Sequence, residues 1–208
     1  MVKQKKYSFS FTGASASIVE TLVIAEEYDR LRDWKAVRAL LLEHNLLKKV
    51  KQATFKREFL EIKKRISLLT QDQLRLLVHG SLDDAKAIIL VALVKTYIFL
   101  RDFIVEVIRT KYLLFENTLS DIDYLRFIET KSLSHNELTK ITEATAKKVK
   151  QVIFKLLEQV GLITSVRNGT ILKPILNKNV IDVVVNDDPT LLYVFLFSNE
   201  EIRNLITK

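Results

Sequence analysis

Cysteine is absent from this 208-residue chain. That excludes disulfide bonds, a thiolate nucleophile and any zinc site built on cysteine. There are only 4 glycines and 2 prolines, too few for a disordered or loop-rich protein. The glycines stand apart at Gly13, Gly80, Gly161 and Gly169, so no glycine-rich phosphate loop exists. His44, His79 and His135 lack metal-ligand spacing, and no serine sits in a nucleophile-elbow pattern. Catalysis, cofactors, metals and a small-molecule substrate are therefore not expected. Long hydrophobic runs are missing too. The most membrane-like stretch, Ala87 to Val94, is closed off by Lys86 and Lys95, whereas a span needs about 20 apolar residues. Lys3, Lys5 and Lys6 lead into a mixed Tyr-Ser-Phe stretch, not a signal-peptide core. A cytoplasmic protein with no membrane partner is the expectation.

What the chain does have is positive charge and helical periodicity. Its 33 Lys plus Arg outnumber 25 Asp plus Glu, a net charge of +8. Such an excess fits binding to a phosphate backbone, and it equally fits a lysine-rich solvated surface. Hydrophobic residues make up 48%, enough for a sizeable core at this length.

The pattern divides into three parts: a helical domain over 1–117, a second domain over 118–176, and a tail over 177–208. A basic arm with Tyr7, Phe9 and Phe11 ends at Gly13. Ser17 and Asp33 read as caps of the first two helices, and Asn45 as a stop. A helix follows from about Ala53 to Leu68, with Phe55, Phe59, Ile62, Ile66 and Leu69 on one face. Gln71 to His79 is a short helix ended by Gly80. Ser81, with Asp83 and Asp84 in the first turn, opens the most apolar helical region, which reaches about Phe115 unbroken or splits near Arg101. Ser120 starts another helix. Ser134 and Glu137 form a capping-box pattern before a short helix. Thr142 caps a helix that runs to Val160 and stops at Gly161. Leu162 to Arg167 and Thr170 to Lys173 read as strands around Asn168-Gly169, a type I′ turn signal. That order predicts a winged helix with one β-hairpin. The tail holds short helices, with Pro189 as a break and Ser198 as a cap. Leu191 to Phe197 fits either a helix or a buried strand.

Two stretches read alike: Gln52-Ala53-Thr54-Phe55-Lys56-Arg57 and Glu143-Ala144-Thr145-Ala146-Lys147-Lys148. Each opens a basic amphipathic helix after a short helical segment, as a recognition helix does. In the second copy Ala146, Val149, Ile153, Leu156, Leu157 and Val160 form the apolar side. Lys147, Lys148, Lys150 and Gln151 point elsewhere, where lysine suits phosphate or guanine and glutamine suits adenine. Thr142 and Thr145 stand at the helix N-terminus, a place for a phosphate. Arg167 and Lys173 are the wing candidates. The first copy offers Lys48, Lys49, Lys51, Thr54, Lys56, Arg57, Lys63 and Lys64, interrupted by Glu58 and Glu61. Both sets also fit solvated faces of core helices. Double-stranded DNA is the expected partner; the alternative is a protein adaptor that docks through its winged helix.

The ordered set is similar to the BrxA family, the small accessory proteins of BREX bacteriophage-defence systems. It comprises the aromatic-Ser start with Gly13, the Trp34-to-Asn45 helix and Ala53-Thr54-Phe55-Lys56-Arg57. Lys95-Thr96-Tyr97, then Asp102 to Val107, and Thr145-Ala146-Lys147-Lys148 through Ile163 complete it. The resemblance implies a mostly helical bacterial cytoplasmic protein with a NusB-like N-terminal region, which makes an RNA binder the third reading. It also implies DNA binding through helix-turn-helix elements, partners among other BREX components, and no catalysis. Where a second Thr-x-Lys-Arg-Ile-like run would stand, this chain has Phe59-Leu60-Glu61, a less basic reading of the N-terminal helix.

Overall fold

The computed structural model describes residues 6–167 and 169–207, and every regular element in them is helical. An aromatic arm and a 3₁₀ turn at Ser10–Gly13 precede α1 (Ile18–Leu31), α2 (Trp34–Glu43), α3 (Gln52–Ile66), α4 (Gln71–His79) and α5 (Leu82–Thr96). Next, α6 (Ile98–Phe103) passes through a π-helical stretch, Ile104–Arg109, into α7 (Thr110–Leu113). Then come α8 (Asp121–Ser132), a 3₁₀ turn at Leu138–Lys140, and α9 (Glu143–Gln159). The tail is α10 (Lys178–Val185), a 3₁₀ segment at Pro189–Phe195, and α11 (Asn199–Ile206).

The mainly α expectation holds, and α5 is its centre. Every residue from Ala87 to Val94 is buried, because α1, α3, α4, α6 and α10 surround it. Its start is a capping box: the Asp84 N–H donates to Ser81 Oγ (3.2 Å) and the Ser81 N–H to Asp84 Oδ2 (2.9 Å). Asp84 thus caps the helix, while Asp83 pairs with Lys86 at 3.1 Å. The break in this region falls at Tyr97, not near Arg101, where the backbone turns extended. No helix among the described residues is long and apolar enough to cross a membrane.

Other caps follow the same local logic. Asp33, Thr142 and Ser198 each accept a backbone N–H two or three residues ahead. Ser17 does not. It is in the left-handed region at φ 45°, and its hydroxyl donates to Ala14 O and Glu58 instead. The Ser134 and Glu137 pattern yields only the 3₁₀ turn, because Glu137 is taken by the arm. Its Oε1 accepts the Tyr7 N–H at 2.7 Å. The Tyr7 ring stacks on His135 at 3.7 Å, and its hydroxyl donates to Asp102 Oδ2 at 2.8 Å. Among its described residues, from Lys6 on, the arm places Tyr7 and Phe11 in the core and forms no strand. Leu191 to Phe195 belong to the 3₁₀ segment, with Leu191, Leu192, Val194 and Phe195 buried, and Leu196 ends it in the left-handed region at φ 65°.

The winged helix is overturned: no β-hairpin and no strand forms among the described residues. Only isolated antiparallel bridges occur, Ile163 with Ile171 and Thr118 with Thr170. Pairing stops early on both sides. The Val166 N–H turns away to Glu158 Oε1 at 3.4 Å, and Pro174 has no N–H to continue the other side. Meanwhile the segment after Asn168 is shared with 117–119: Leu119 N–H donates to Gly169 O (2.8 Å) and Ile171 N–H to Asn117 O (2.9 Å). A Cβ at Gly169 would stand 2.2 Å from Leu119 O. The glycine is required here by that close approach. The Asn168 half of the turn signal lies outside the described residues.

Candidate nucleic-acid interface

Helix α9 buries Val149, Ile153, Leu156 and Leu157 as its periodicity requires, and Val160 just beyond it. Val152 and Phe154 are buried as well, which widens the stripe, while Ala146 is half-buried. The inward side lies against the Ser10–Gly13 turn, and Ser15 Oγ donates to Gln159 Oε1 at 3.0 Å. Opposite, Thr142, Thr145, Lys147, Lys148 and Gln151 are exposed. Neither Lys147 nor Lys148 has a carboxylate partner among the described residues. Lys150 and Lys173 are different. Lys150 pairs with Asp121 at 2.5 Å. Lys173 pairs with Glu201 at 2.5 Å and lies over the Phe197 ring, so α11 holds it. Burial acts to raise the Glu201 pKa, but hydrogen bonds from Lys173 and Ser198 bring it below the usual carboxylate range. Both lysines are neutralised within the fold. Thr142 Oγ1 already accepts the Thr145 N–H (3.2 Å) and contacts the Thr145 hydroxyl (2.9 Å), so part of the helix N-terminus is satisfied. Arg167 is exposed on the loop. Lys140, on the 3₁₀ turn that feeds α9, adds an exposed cation that the helix periodicity did not flag.

Helix α3 sorts its charges more sharply. Glu58 and Glu61, which interrupt the basic run in sequence, both turn inward. Glu58 is buried and contacts Ser17 (3.1 Å) and Lys49 (2.9 Å). Glu61 accepts from the Tyr97 hydroxyl (2.5 Å) and from Ser10 Oγ (3.1 Å). Arg65 is also inward and only 1% exposed. Its Nε donates to the Tyr97 hydroxyl at 3.0 Å and its Nη1 to Ala14 O at 3.5 Å. Burial, opposed by the Arg65 charge, leaves the Tyr97 pKa pushed up to about 12.

The cations that remain outside are Lys48, Lys51, Lys56, Arg57 and Lys64, all exposed. Lys48 sits in the left-handed region at φ 49°. Arg57 lies against Gly13, whose added Cβ would stand 3.3 Å from Arg57 Nε. Lys64 lies over the Tyr97 ring at 5.2 Å. Lys63 is half-buried over Trp34 at 5.4 Å, and Thr54 is half-buried in the first turn. Lys49 is spent on Glu20 (2.8 Å) and Glu58 (2.9 Å). The Glu20 hydrogen bond raises the Lys49 pKa, outweighing its burial. Helices α3 and α9 thus each carry an unneutralised cationic face, and both pack on the same Ser10–Gly13 turn.

An all-helical protein with two basic amphipathic helices on one core is the class this geometry defines. The BrxA family pattern matches residues 5–188, and the chain belongs to that family. The BREX protein BrxA of Bacillus cereus (strain H3081.97) is 29% identical over 119 residues, covering 57% of this chain and 60% of that relative. A crystal structure of an uncharacterized protein from Magnetospirillum magneticum shares the fold. Its TM-score is 0.72 at 16% identity, over 92% of this chain and 98% of that one.

Proposed function

We propose that this protein is a non-enzymatic, DNA-binding accessory component of a bacterial BREX defence system, acting in the cytoplasm beside other BREX components. Membership in the BrxA family supports the defence role. One observation carries the DNA reading: on α3 the acids fold inward while Lys56, Arg57 and Lys64 stay outward. A helix that engages its carboxylates in hydrogen bonds within the fold and leaves its cations in water presents a face suited to phosphates. Lys147, Lys148 and Gln151 repeat this on α9, with Arg167 and Lys140 nearby in the chain. Contact is mainly to the duplex backbone, so affinity falls steeply with salt. The test is a titration of duplex DNA, single-stranded DNA and RNA at two salt concentrations. Tighter binding of duplex DNA, weakened by salt, is expected. Preference for RNA, or no binding to any of the three, would remove this reading.

A further inference from the structure

Between α2 and α3 lies a groove of about 380 Å³ whose apolar lining, with Lys35 and Arg38, the DNA reading does not use. Its lining is apolar at Trp34, Leu42 and Leu60. Leu42 and Leu60 keep 39% and 51% of their surface exposed. Lys35, Arg38 and Lys63 also line it, with no carboxylate partner among the described residues. Asp33, two residues before Lys35, is occupied in capping α2 through the Lys35 N–H at 2.8 Å.

The occupant must satisfy both halves of this surface. A nucleobase would stack on the tryptophan, but the Trp34 ring is already engaged by neighbours in the chain. Tyr28 stacks on one side at 3.8 Å, and the Lys63 ammonium covers the ring at 5.4 Å. Phe59 meets it edge-on at 6.2 Å. A phosphate backbone would satisfy the cations and leave both leucines in water. An amphipathic helix with an acidic flank satisfies everything: its apolar side chains cover Leu42 and Leu60, and its carboxylates meet Lys35 and Arg38. We propose that the α2–α3 groove docks an acidic amphipathic helical segment of a partner protein.

The chain contains a single tryptophan, and it lines this groove, so its emission reports occupancy directly. The probes are a panel of synthetic peptides with leucines at helical spacing and glutamates on the flanks. Scrambled peptides of the same composition and lysine-flanked counterparts are the controls. The expected result is a saturable change in Trp34 emission with the acidic helical peptides alone. Lys35→Glu with Arg38→Glu, and separately Leu60→Ser, should each weaken binding about tenfold or more. All three residues are exposed, and circular dichroism checks the fold of each variant. The two variants probe charge and apolar contact independently, so either one alone keeps the test decisive. An unsaturable or absent response would overturn the proposal. So would an equal response from scrambled peptides, which would reduce it to bulk charge attraction. Displacement of bound peptide by duplex DNA would also overturn it and assign the groove to nucleic acid.

Discussion

Tyr97 restrains two ionisable side chains of α3 at once. Its hydroxyl accepts from Arg65 Nε and donates to Glu61 Oε2, at the residue where the backbone leaves α5. Tyr97→Phe should leave a buried guanidinium short of an acceptor, and the expected cost is about 1–3 kcal/mol. Urea unfolding measures it, and an unchanged midpoint would contradict the role given to this hydroxyl. Lys49 offers a second test at this scale, through pH. Its folded pKa is raised, first by the Glu20 hydrogen bond. Its contribution is therefore complete below the ordinary lysine value of 10.5 and is lost as pH rises through the higher folded value. For Glu20, burial acts to raise the pKa, but the Lys49 hydrogen bond brings it below 4.5. That contribution is present above 4.5 and is lost as pH falls through the lower folded value. Lys49→Met should thus be most destabilising between these limits. The gap to the parent should narrow in acid, as measured by thermal unfolding across pH. A gap that widens in acid would reverse the assignment.

Among the elements, what was legible in the sequence was what is settled locally. Asp33, Ser81, Thr142 and Ser198 cap helices because donor and acceptor lie within three residues of each other. The Ser134 pattern had the same spacing, but Tyr7 captured its glutamate from far along the chain. Glu58 and Glu61 broke the basic run in sequence; their inward turn depends on Lys49, Tyr97 and Ser10, which periodicity does not place. The β-hairpin expectation failed for the same reason. Asn168-Gly169 carries a turn signal, yet Gly169 is held against the Leu119 backbone, a partner in a separate segment. Gly169→Ala is accordingly predicted to cost about 1–3 kcal/mol through overpacking against a backbone oxygen that cannot swing aside. A thermal melt that matches the parent would show that 117–119 can yield. Lys150 and Lys173 are DNA-binding candidates in the sequence by their position off the apolar stripe or on the expected wing. Their partners Asp121 and Glu201 come from other elements, so their neutralisation was not readable from the pattern.

At the scale of the whole molecule, one buried cluster extends from Tyr7 to Ile202. The aromatic arm brings α3 and α9 onto the same core through the Ser10–Gly13 turn. The proposed DNA contact involves both cationic faces, which share this support. The most direct test is the salt dependence of duplex-DNA affinity in the parent and in two variants. One variant replaces Lys147, Lys148 and Gln151 with Ala; the other replaces Lys56, Arg57 and Lys64 with Ala. All six residues are exposed, so stability should change by under about 0.5 kcal/mol per substitution. For every phosphate that a variant no longer neutralises, the slope of log affinity against log salt should flatten by about 0.9. Weaker binding and a flatter slope are predicted for both variants. Folded variants whose affinity and slope both match the parent would contradict a DNA-binding role for these two faces.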